Sequence, residues 1–316
     1  MVRGIVLVAL SLALGTSALP EAKWRTTTEK RLQFTKNGTF QLSIFEDLHY
    51  GEAEATTWGP SQDAETKVVI NTVLDNESPQ LVILNGDLIT GEDTFLPNAT
   101  NYIDEIVAPL VDRQLLWAST YGNHDSDYNL SRIAILERGK TYSNSLTNSM
   151  VSGALAGVSN YYLPQLKDGS QVPQPCWVDE SVVKWFTQIN TELRNKDGRG
   201  LNANYEPGIN GDNPLDQQGE ASGQGEVSGT VFSNSGQDIP FMEALLNAEG
   251  LLVTFSGHDH GGDWCFKWDS KLPGMNLTGN GLNLCFGRHS GYGGYGPWTR
   301  GSRQILFDET TLENKS

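Results

Sequence analysis

Basic residues are scarce in this chain of 316 residues. Lysine and arginine number 22 against 38 aspartates and glutamates, which gives a formal net charge of -16 at pH 7. Such a surface repels polyanions unless a bound cation intervenes, so we expect no nucleic acid among the partners. Long apolar runs are also lacking, since none approaches the roughly 20 residues that a membrane span requires. We therefore expect no membrane span, and the length suits one large α/β domain.

Only the N-terminus is strongly apolar. A short basic start, an apolar run over residues 4–14 and the small residues Thr16, Ser17 and Ala18 are typical of a signal peptide, which we place at residues 1–18. The sequence thus predicts a secreted or vacuolar protein. We expect several of the six Asn-x-Ser/Thr sequons to carry glycans. They lie at Asn37, Asn76, Asn98, Asn129, Asn276 and Asn314.

Cysteine is rare as well, with three in the whole chain. Cys265 and Cys285 flank a short glycine-rich excursion, and an oxidising compartment would allow them to form a disulfide. Cys176 is then left over. The alternative is three unpaired buried thiols.

Between residues 39 and 120, strand-like and helix-like segments alternate. Apolar runs at 40–45, 81–84 and 115–118 predict strands, and the patterns at 61–76 and 100–113 predict helices. Such a series indicates a largely parallel sheet with right-handed crossovers.

The later part of the chain is less regular. Residues 181–195 and 241–248 have helical patterns, whereas the polar stretch 196–238 has none, which is unusual inside a compact domain. Residues 251–255 predict another buried strand. The glycine-rich residues 290–297 and the strand-like 304–307 suggest a second, more antiparallel sheet that packs on the first.

Clusters of histidine, aspartate and asparagine follow four of the predicted strands. Four of the five histidines lie in them. A lone aspartate after a strand is more often a helix cap or turn residue than a ligand. The repeated combination nevertheless indicates one site, because ligands bind beyond the carboxyl ends of strands in open α/β sheets. The clusters are Asp47-Leu48-His49, Gly86-Asp87, Gly122-Asn123-His124-Asp125 and Gly257-His258-Asp259-His260.

These side chains suit divalent metal ions. Carboxylate oxygen, amide oxygen and neutral imidazole nitrogen are suitable ligands for such ions. Two ions about 3.5 to 4 Å apart need a bridging carboxylate, and Asp87 lies alone between the flanking clusters. Bound ions would offset the crowding of acids and lower the pKa of a shared water.

This ordered set resembles the calcineurin-like metallophosphoesterase superfamily over roughly residues 38–308. Residues 45–49, 122–125 and 288–296 are similar to its fungal and plant branch labelled purple-acid-phosphatase-like. The resemblance implies two mixed β-sheets packed as a sandwich and flanked by helices, an αββα fold. Residues 19–37 would be an N-terminal segment and 309–316 a C-terminal tail. It also implies two divalent ions (Mn, Fe or Zn) and hydrolysis of a phosphate ester, on a small molecule or a phosphoprotein, by a bridging hydroxide.

The resemblance also assigns residues. It implies that the first ion is held by Asp47, His49, Asp87 and His260, and the second by Asp87, Asn123 and His258. His124 would stabilise or protonate the departing alkoxide, and Asp125 would hold its ring.

Two departures from the family pattern limit these expectations. Purple acid phosphatases have a tyrosine at the position of Thr90 and lack His49, so we expect no iron-tyrosinate colour. The family also provides a further ligand histidine, whereas this chain has none between residues 134 and 257. The fold would then lack a strand, and a catalytically impaired pseudoenzyme or binding module is the alternative function. His289 is a possible substitute ligand, but a substrate-side or structural role is favoured.

The glycine–tyrosine segment, residues 288–296, has two interpretations. It is either a flexible surface loop or part of the rim of an active site, where its tyrosines would contact the leaving group of a substrate.

Overall fold

A computed structural model gives the fold of this protein. It describes residues 32–126, 129–149, 158–159, 161, 165–166, 243, 245–246, 251–271 and 276–310, together with the backbone of 8–11. The strands are β1 Val8–Ser11, β2 Leu32–Gln33, β3 Thr39–Glu46, β4 Leu81–Asn85, β5 Trp117–Thr120, β6 Gln165–Leu166, β7 Leu251–Ser256, β8 Trp264–Trp268, β9 Leu282–Phe286 and β10 Arg303–Asp308. The helices are α1 Trp58–Asn76, α2 Tyr102–Asp112 and α3 Arg132–Gly139.

The first sheet has the strand order β10-β3-β4-β5. β3, β4 and β5 are parallel, which confirms the predicted βαβαβ series, with α1 and α2 as the crossovers. The register pairs Glu46 with Asn85 and Asn85 with Thr120, so the three strands end at the same level. Side chains that follow these strands therefore emerge at one edge of the sheet.

The second sheet is mixed, with the order β1-β7-β9-β8. β7 and β9 are parallel, while β1 and β8 run antiparallel to their neighbours. The prediction that residues 304–307 belong to this sheet is wrong, because β10 pairs antiparallel with β3 over Arg303 to Asp308. It occupies the edge of β3 opposite β4. A strand pattern shows which faces are apolar but not which edge is paired.

Two apolar layers explain the sandwich. One layer lies between the sheets, where Leu42 and Ile44 of β3 meet Val253 and Phe255 of β7. The other lies on the outer face of the first sheet, where Phe45 packs with residues of α1, α2 and α3. β3 and β4 send alternate side chains to the two layers and are therefore buried on both faces.

The outer face of the second sheet has its own apolar cluster. Trp268 and Leu284 pack there with Leu245, which is helical like Glu243 and Leu246 within the predicted helix 241–248. The predicted helix 181–195 and the stretch 196–238 lie outside the described residues. Among the residues that are described, no helix is long and apolar enough to cross a membrane.

One edge of the second sheet involves the predicted signal peptide. β1 lies within residues 1–18 and pairs with β7 from Val8 opposite Phe255 to Ser11 opposite Leu251. Removal of residues 1–18 would leave this edge of β7 without that partner.

The predicted disulfide between Cys265 and Cys285 is confirmed. The two residues face each other across β8 and β9, and their sulfur atoms are bonded. Cys176 lies outside the described residues. We expect one free thiol per chain in unreduced, denatured protein, measured by thiol titration, and none in Cys176→Ser.

Loss of this bond should destabilise the fold. The bonded cysteines are 20 residues apart, and closing such a loop restricts the unfolded chain by about 3 kcal/mol. We therefore expect the double substitution Cys265→Ala and Cys285→Ala to lower the free energy of unfolding by about that amount in denaturant titrations. An unchanged transition midpoint would contradict this role.

Candidate metal centre

All eight residues assigned from the sequence lie in four loops at the carboxyl ends of strands. Three loops follow β3, β4 and β5 of the first sheet, and the fourth follows β7 of the second sheet. The backbone N–H of His258 donates to the Asp47 carboxylate at 2.8 Å and so links the two sheets. The rim of the sandwich therefore brings together side chains from both sheets.

The backbone at this rim has an uncommon conformation. The φ angle is 50° at Asp47, 52° at His49, 43° at Asp87 and 81° at His258. Few non-glycine residues adopt the left-handed region, and such conformations cluster at functional sites. Four of the six predicted ligands share this feature, which fits a site shaped for binding.

Three predicted ligands of the first ion lie together. Asp47, His49 and His260 each offer an atom within 4.8 Å of the others, and all three are buried. The Nε2 atoms of His49 and His260 are 3.2 Å apart. The other ring nitrogens are hydrogen-bonded, that of His49 to the Thr90 hydroxyl at 3.0 Å and that of His260 to the Tyr295 backbone.

These contacts favour a cation between the two rings. Burial, and next the charge of His260, hold the pKa of His49 well below its usual range, so its ring is neutral. The two Nε2 atoms face each other at 3.2 Å, and neutral imidazole nitrogens held in this way are suitable ligands for one metal ion.

The second set of predicted ligands surrounds Asp87. Its Oδ1 accepts from the backbone N–H of His124 at 2.8 Å, and its Oδ2 lies 4.0 Å from His258 Nδ1. Asn123 Oδ1 and His258 Nε2 are both buried and have no hydrogen-bond partner within the described structure. Buried polar atoms are nearly always partnered, so both atoms are candidates for contact with a ligand such as a metal ion.

The carboxylates are crowded at this rim. Burial, followed by the charges of Asp87 and Glu46, raises the pKa of Asp47 well above its usual range. Burial would also raise the pKa of Asp87, but the nearby ring of His258 and the charges of His49 and His124 lower it instead. A bound cation would stabilise both ionised carboxylates.

Asp125 is fully buried, and its predicted contact with the His124 ring stays a prediction. The buried carboxylate of Asp125 accepts from the backbone N–H groups of Leu88, Ile89 and Gly122 at 2.8 to 3.2 Å. Burial, and next the charge of Asp87, raise the pKa of Asp125 to about 7. Asp125 thus holds the loops after β4 and β5 together.

The Glu92 carboxylate contacts the His124 ring. Its Oε1 lies 2.5 Å from His124 Nδ1. His124, His49 and Asp87 also offer atoms within 4.8 Å of one another, so His124 faces the same centre as the predicted ligands. Both Glu92 and His124 keep part of their side chains exposed, which leaves them accessible to a substrate.

The glycine–tyrosine segment forms a wall of this site. Gly291 and Gly293 are buried, and the Tyr295 ring stacks on His260 with centroids 4.2 Å apart. A Cβ at Gly294 would lie 2.2 Å from His260 Cε1. The segment is therefore part of the rim and not a loop remote from the site.

His289 packs behind the predicted ligands. It is fully buried, and its ring centroid lies 4.7 Å from that of His260. Burial, and next the charge of His260, lower the pKa of His289 to about 2, so the ring is neutral. Among the described residues it belongs to no group that could hold a metal ion, which favours the structural role.

Sequence reasoning missed three residues that contact the site. The sequence shows Thr90 only as a replacement for a tyrosine, whereas in the structure its hydroxyl lies 3.0 Å from His49 Nδ1. Glu92 and Tyr295 contact His124 and His260. No spacing rule marks these contacts, because each depends on how a loop folds back. The family histidine that this chain lacks would fall in a part of the chain outside the described residues.

The fold and the site together define a class of protein, the metallophosphoesterases, with candidate metal-ligating side chains at the rim of a two-sheet α/β sandwich. The chain belongs to the calcineurin-like phosphoesterase family, whose sequence profile matches residues 47–262. It is 26% identical over 329 residues to probable inactive purple acid phosphatase 29 of Arabidopsis thaliana, covering 90% of this chain and 80% of that protein. It is also 26% identical over 298 residues to phosphatase DCR2 of Saccharomyces cerevisiae, covering 83% of this chain and 50% of that protein.

A third relative has a similar name. Probable inactive purple acid phosphatase 14 of Arabidopsis thaliana is 23% identical over 321 residues, which cover 87% of this chain and 77% of that protein. The relatives thus include both a phosphatase and proteins named as inactive.

Gly294 offers a test of the close packing at the wall. Its φ is 74°, and a Cβ there would overlap the His260 ring, so Gly294→Ala should lower the free energy of unfolding by at least about 1 kcal/mol. At Gly301 a Cβ would meet nothing within 4 Å, and Gly301→Ala should change the free energy of unfolding by less than about 0.5 kcal/mol. Denaturant titrations compare the two; equal effects would contradict the described packing.

Proposed function

We propose that this chain is a secreted metal-dependent phosphoesterase that holds two divalent ions (Mn, Fe or Zn) and hydrolyses phosphate esters. The observation that carries this proposal is the pair of buried, unpartnered atoms, Asn123 Oδ1 and His258 Nε2, on the two loops that contact Asp87. Membership of the calcineurin-like phosphoesterase family and the yeast relative named as a phosphatase support the reaction class.

The ligand assignments follow the two groups of side chains. Asp47, His49, Asp87 and His260 would hold the first ion, and Asp87, Asn123 and His258 the second. Such ions, when bound, neutralise phosphate charge and lower the pKa of water. Asp87 suits the shared position because it contacts the loops of both His124 and His258.

His124 is the group that we assign to the leaving alcohol. Its Nδ1 is held by Glu92, and we assign to Nε2 the delivery of a proton to the departing oxygen. Asp125 acts indirectly, since its three backbone contacts fix the loop that carries Asn123 and His124. The substrate is a phosphate ester of a small molecule or a phosphoprotein.

Passage through the secretory pathway is part of the proposal. Residues 1–18 and the sequons support it, and the side chains of four sequon asparagines are exposed and accessible to glycosylation. These four are Asn37, Asn76, Asn98 and Asn276.

A catalytically impaired pseudoenzyme or binding module is the second candidate. It is favoured by the lack of any histidine between residues 134 and 257, which leaves the second ion with three assigned ligands. Two relatives named as probable inactive phosphatases point the same way.

Substitution of Asp87 separates these two functions. In the enzyme, purified protein contains two ions per chain and hydrolyses an aryl phosphate, and Asp87→Asn lowers turnover by roughly 100-fold or more because it removes the shared ligand. Asp93→Asn is the control, since Asp93 accepts only from the backbone of Ala53 in an exposed loop. Metal analysis that finds at most one ion, together with no turnover, would favour the binding module.

Glu92 provides a test of the assignment of His124. Glu92→Gln should lower the turnover of an alkyl phosphate by about 10-fold, which is less than a proton donor usually contributes. It should lower the turnover of a 4-nitrophenyl ester much less. The reason is that a good leaving group does not need a proton. Glu54→Gln, on a neighbouring loop, should affect neither ester. Equal losses on both esters would exclude this role of His124.

A further inference from the structure

The glycine–tyrosine segment lies directly against the loop that follows β3. A Cβ at Gly291 would be 2.0 Å from the carbonyl oxygen of Leu48, and one at Gly293 would be 2.4 Å from that of His49. Glycine permits this approach, but it also loses more conformational freedom on folding than any other residue. Four of the nine residues 288–296 are glycine, so the segment needs other contacts to hold its shape.

Tyr295 joins this segment to His260 through both its side chain and its backbone. Its ring is stacked on the imidazole at an interplanar angle of 7°. Its hydroxyl accepts from the backbone N–H of His260 at 3.2 Å, and its carbonyl oxygen lies 3.2 Å from His260 Nδ1. These contacts fix the ring so that Nε2 faces His49.

Arg300 holds the segment from its other side. The guanidinium donates to the carbonyl oxygens of Gly291 and Gly296 at 2.9 Å each, and also to that of Trp298. Its Cζ atom lies 4.8 Å from the centre of the Tyr292 ring. One side chain thereby joins both ends of the stretch 291–298, with Tyr295 between them.

We propose that Arg300 is a positioning residue of the metal centre, which orients the predicted ligand His260 through the glycine–tyrosine segment and Tyr295. This inference rests on the proposed function for the ligand role of His260. A residue that orients a metal-ligating histidine contributes to metal affinity without touching the ion, and its loss typically weakens binding 10- to 100-fold.

The geometry requires arginine in particular. A planar guanidinium presents five donors in a fixed fork, and three carbonyl oxygens in different directions use that fork. The ammonium of lysine is a compact charge on a flexible stem and cannot reproduce it. Arg300→Lys should therefore preserve only part of the effect.

The experiment compares metal-free full-length chains with Arg300→Met, Arg300→Lys and Arg138→Met. Arg138 on α3 hydrogen-bonds to Asp104 on α2, so its substitution is a matched control that changes the net charge equally. Hydrogen exchange over residues 288–298 reports whether the segment is loosened. Calorimetric titration with Mn²⁺ reports affinity and stoichiometry, and circular dichroism verifies the fold.

We expect Arg300→Met to increase exchange in the segment and to weaken Mn²⁺ binding by roughly 10- to 100-fold. Arg300→Lys should lie between this variant and wild type, and Arg138→Met should bind as wild type does. If Arg300→Met does not fold, Arg300→Lys decides the question by the same two measurements.

Two results would overturn the inference in different ways. Faster exchange with unchanged Mn²⁺ affinity would show that Arg300 supports the segment without positioning a ligand, and the proposed function would stand. Failure of the wild-type chain to bind Mn²⁺, Fe²⁺ and Zn²⁺ alike would refute the metal centre itself, and the role of Arg300 would fall with it.

Discussion

Two carboxylates, Asp47 and Asp87, are buried at the ends of β3 and β4 among imidazole rings. Their mutual repulsion is strong enough that the charge of Asp87 helps to raise the pKa of Asp47. Water cannot screen charges at such buried positions, so stability depends on groups that offset them. The histidines supply part of this compensation, and their nitrogens lie close enough to the carboxylates for the groups to hold a metal ion. Much of the surrounding structure can be understood as support for this cluster.

That support comes from both sheets. The parallel strands β3, β4 and β5 end in register and bring three loops together, while β7 adds His258 and His260 from the second sheet. Asp125 ties two of the loops through backbone N–H groups, and the glycine–tyrosine segment packs over the third. The rim combines loops from both sheets, so it keeps its geometry only while the two sheets stay packed together. The apolar core between the sheets therefore supports the site.

The sequence predicted β3, β4 and β5 because short apolar runs alternate with helical patterns between residues 39 and 120. It also predicted which loops would converge, since the carboxyl ends of parallel strands share an edge. The partner edge of β10 and the orientation of His124 were not predictable in this way. Both depend on contacts between residues far apart in the chain, such as Glu92 with His124, for which local patterns carry no signal. The assignments of the six ligands stay predictions that the geometry supports.

The left-handed backbone at Asp47, His49, Asp87 and His258 has a consequence for how this rim can change over evolution. Such a conformation costs an ordinary side chain roughly 1–2 kcal/mol, whereas glycine and asparagine adopt it more readily. A β-branched residue at any of the four positions would disturb the main chain as well as remove a ligand. If the site lost its function, substitutions at these four positions would therefore be expected to introduce asparagine or glycine rather than β-branched residues. The two aspartates and two histidines at these four positions are therefore retained in spite of an energetic penalty.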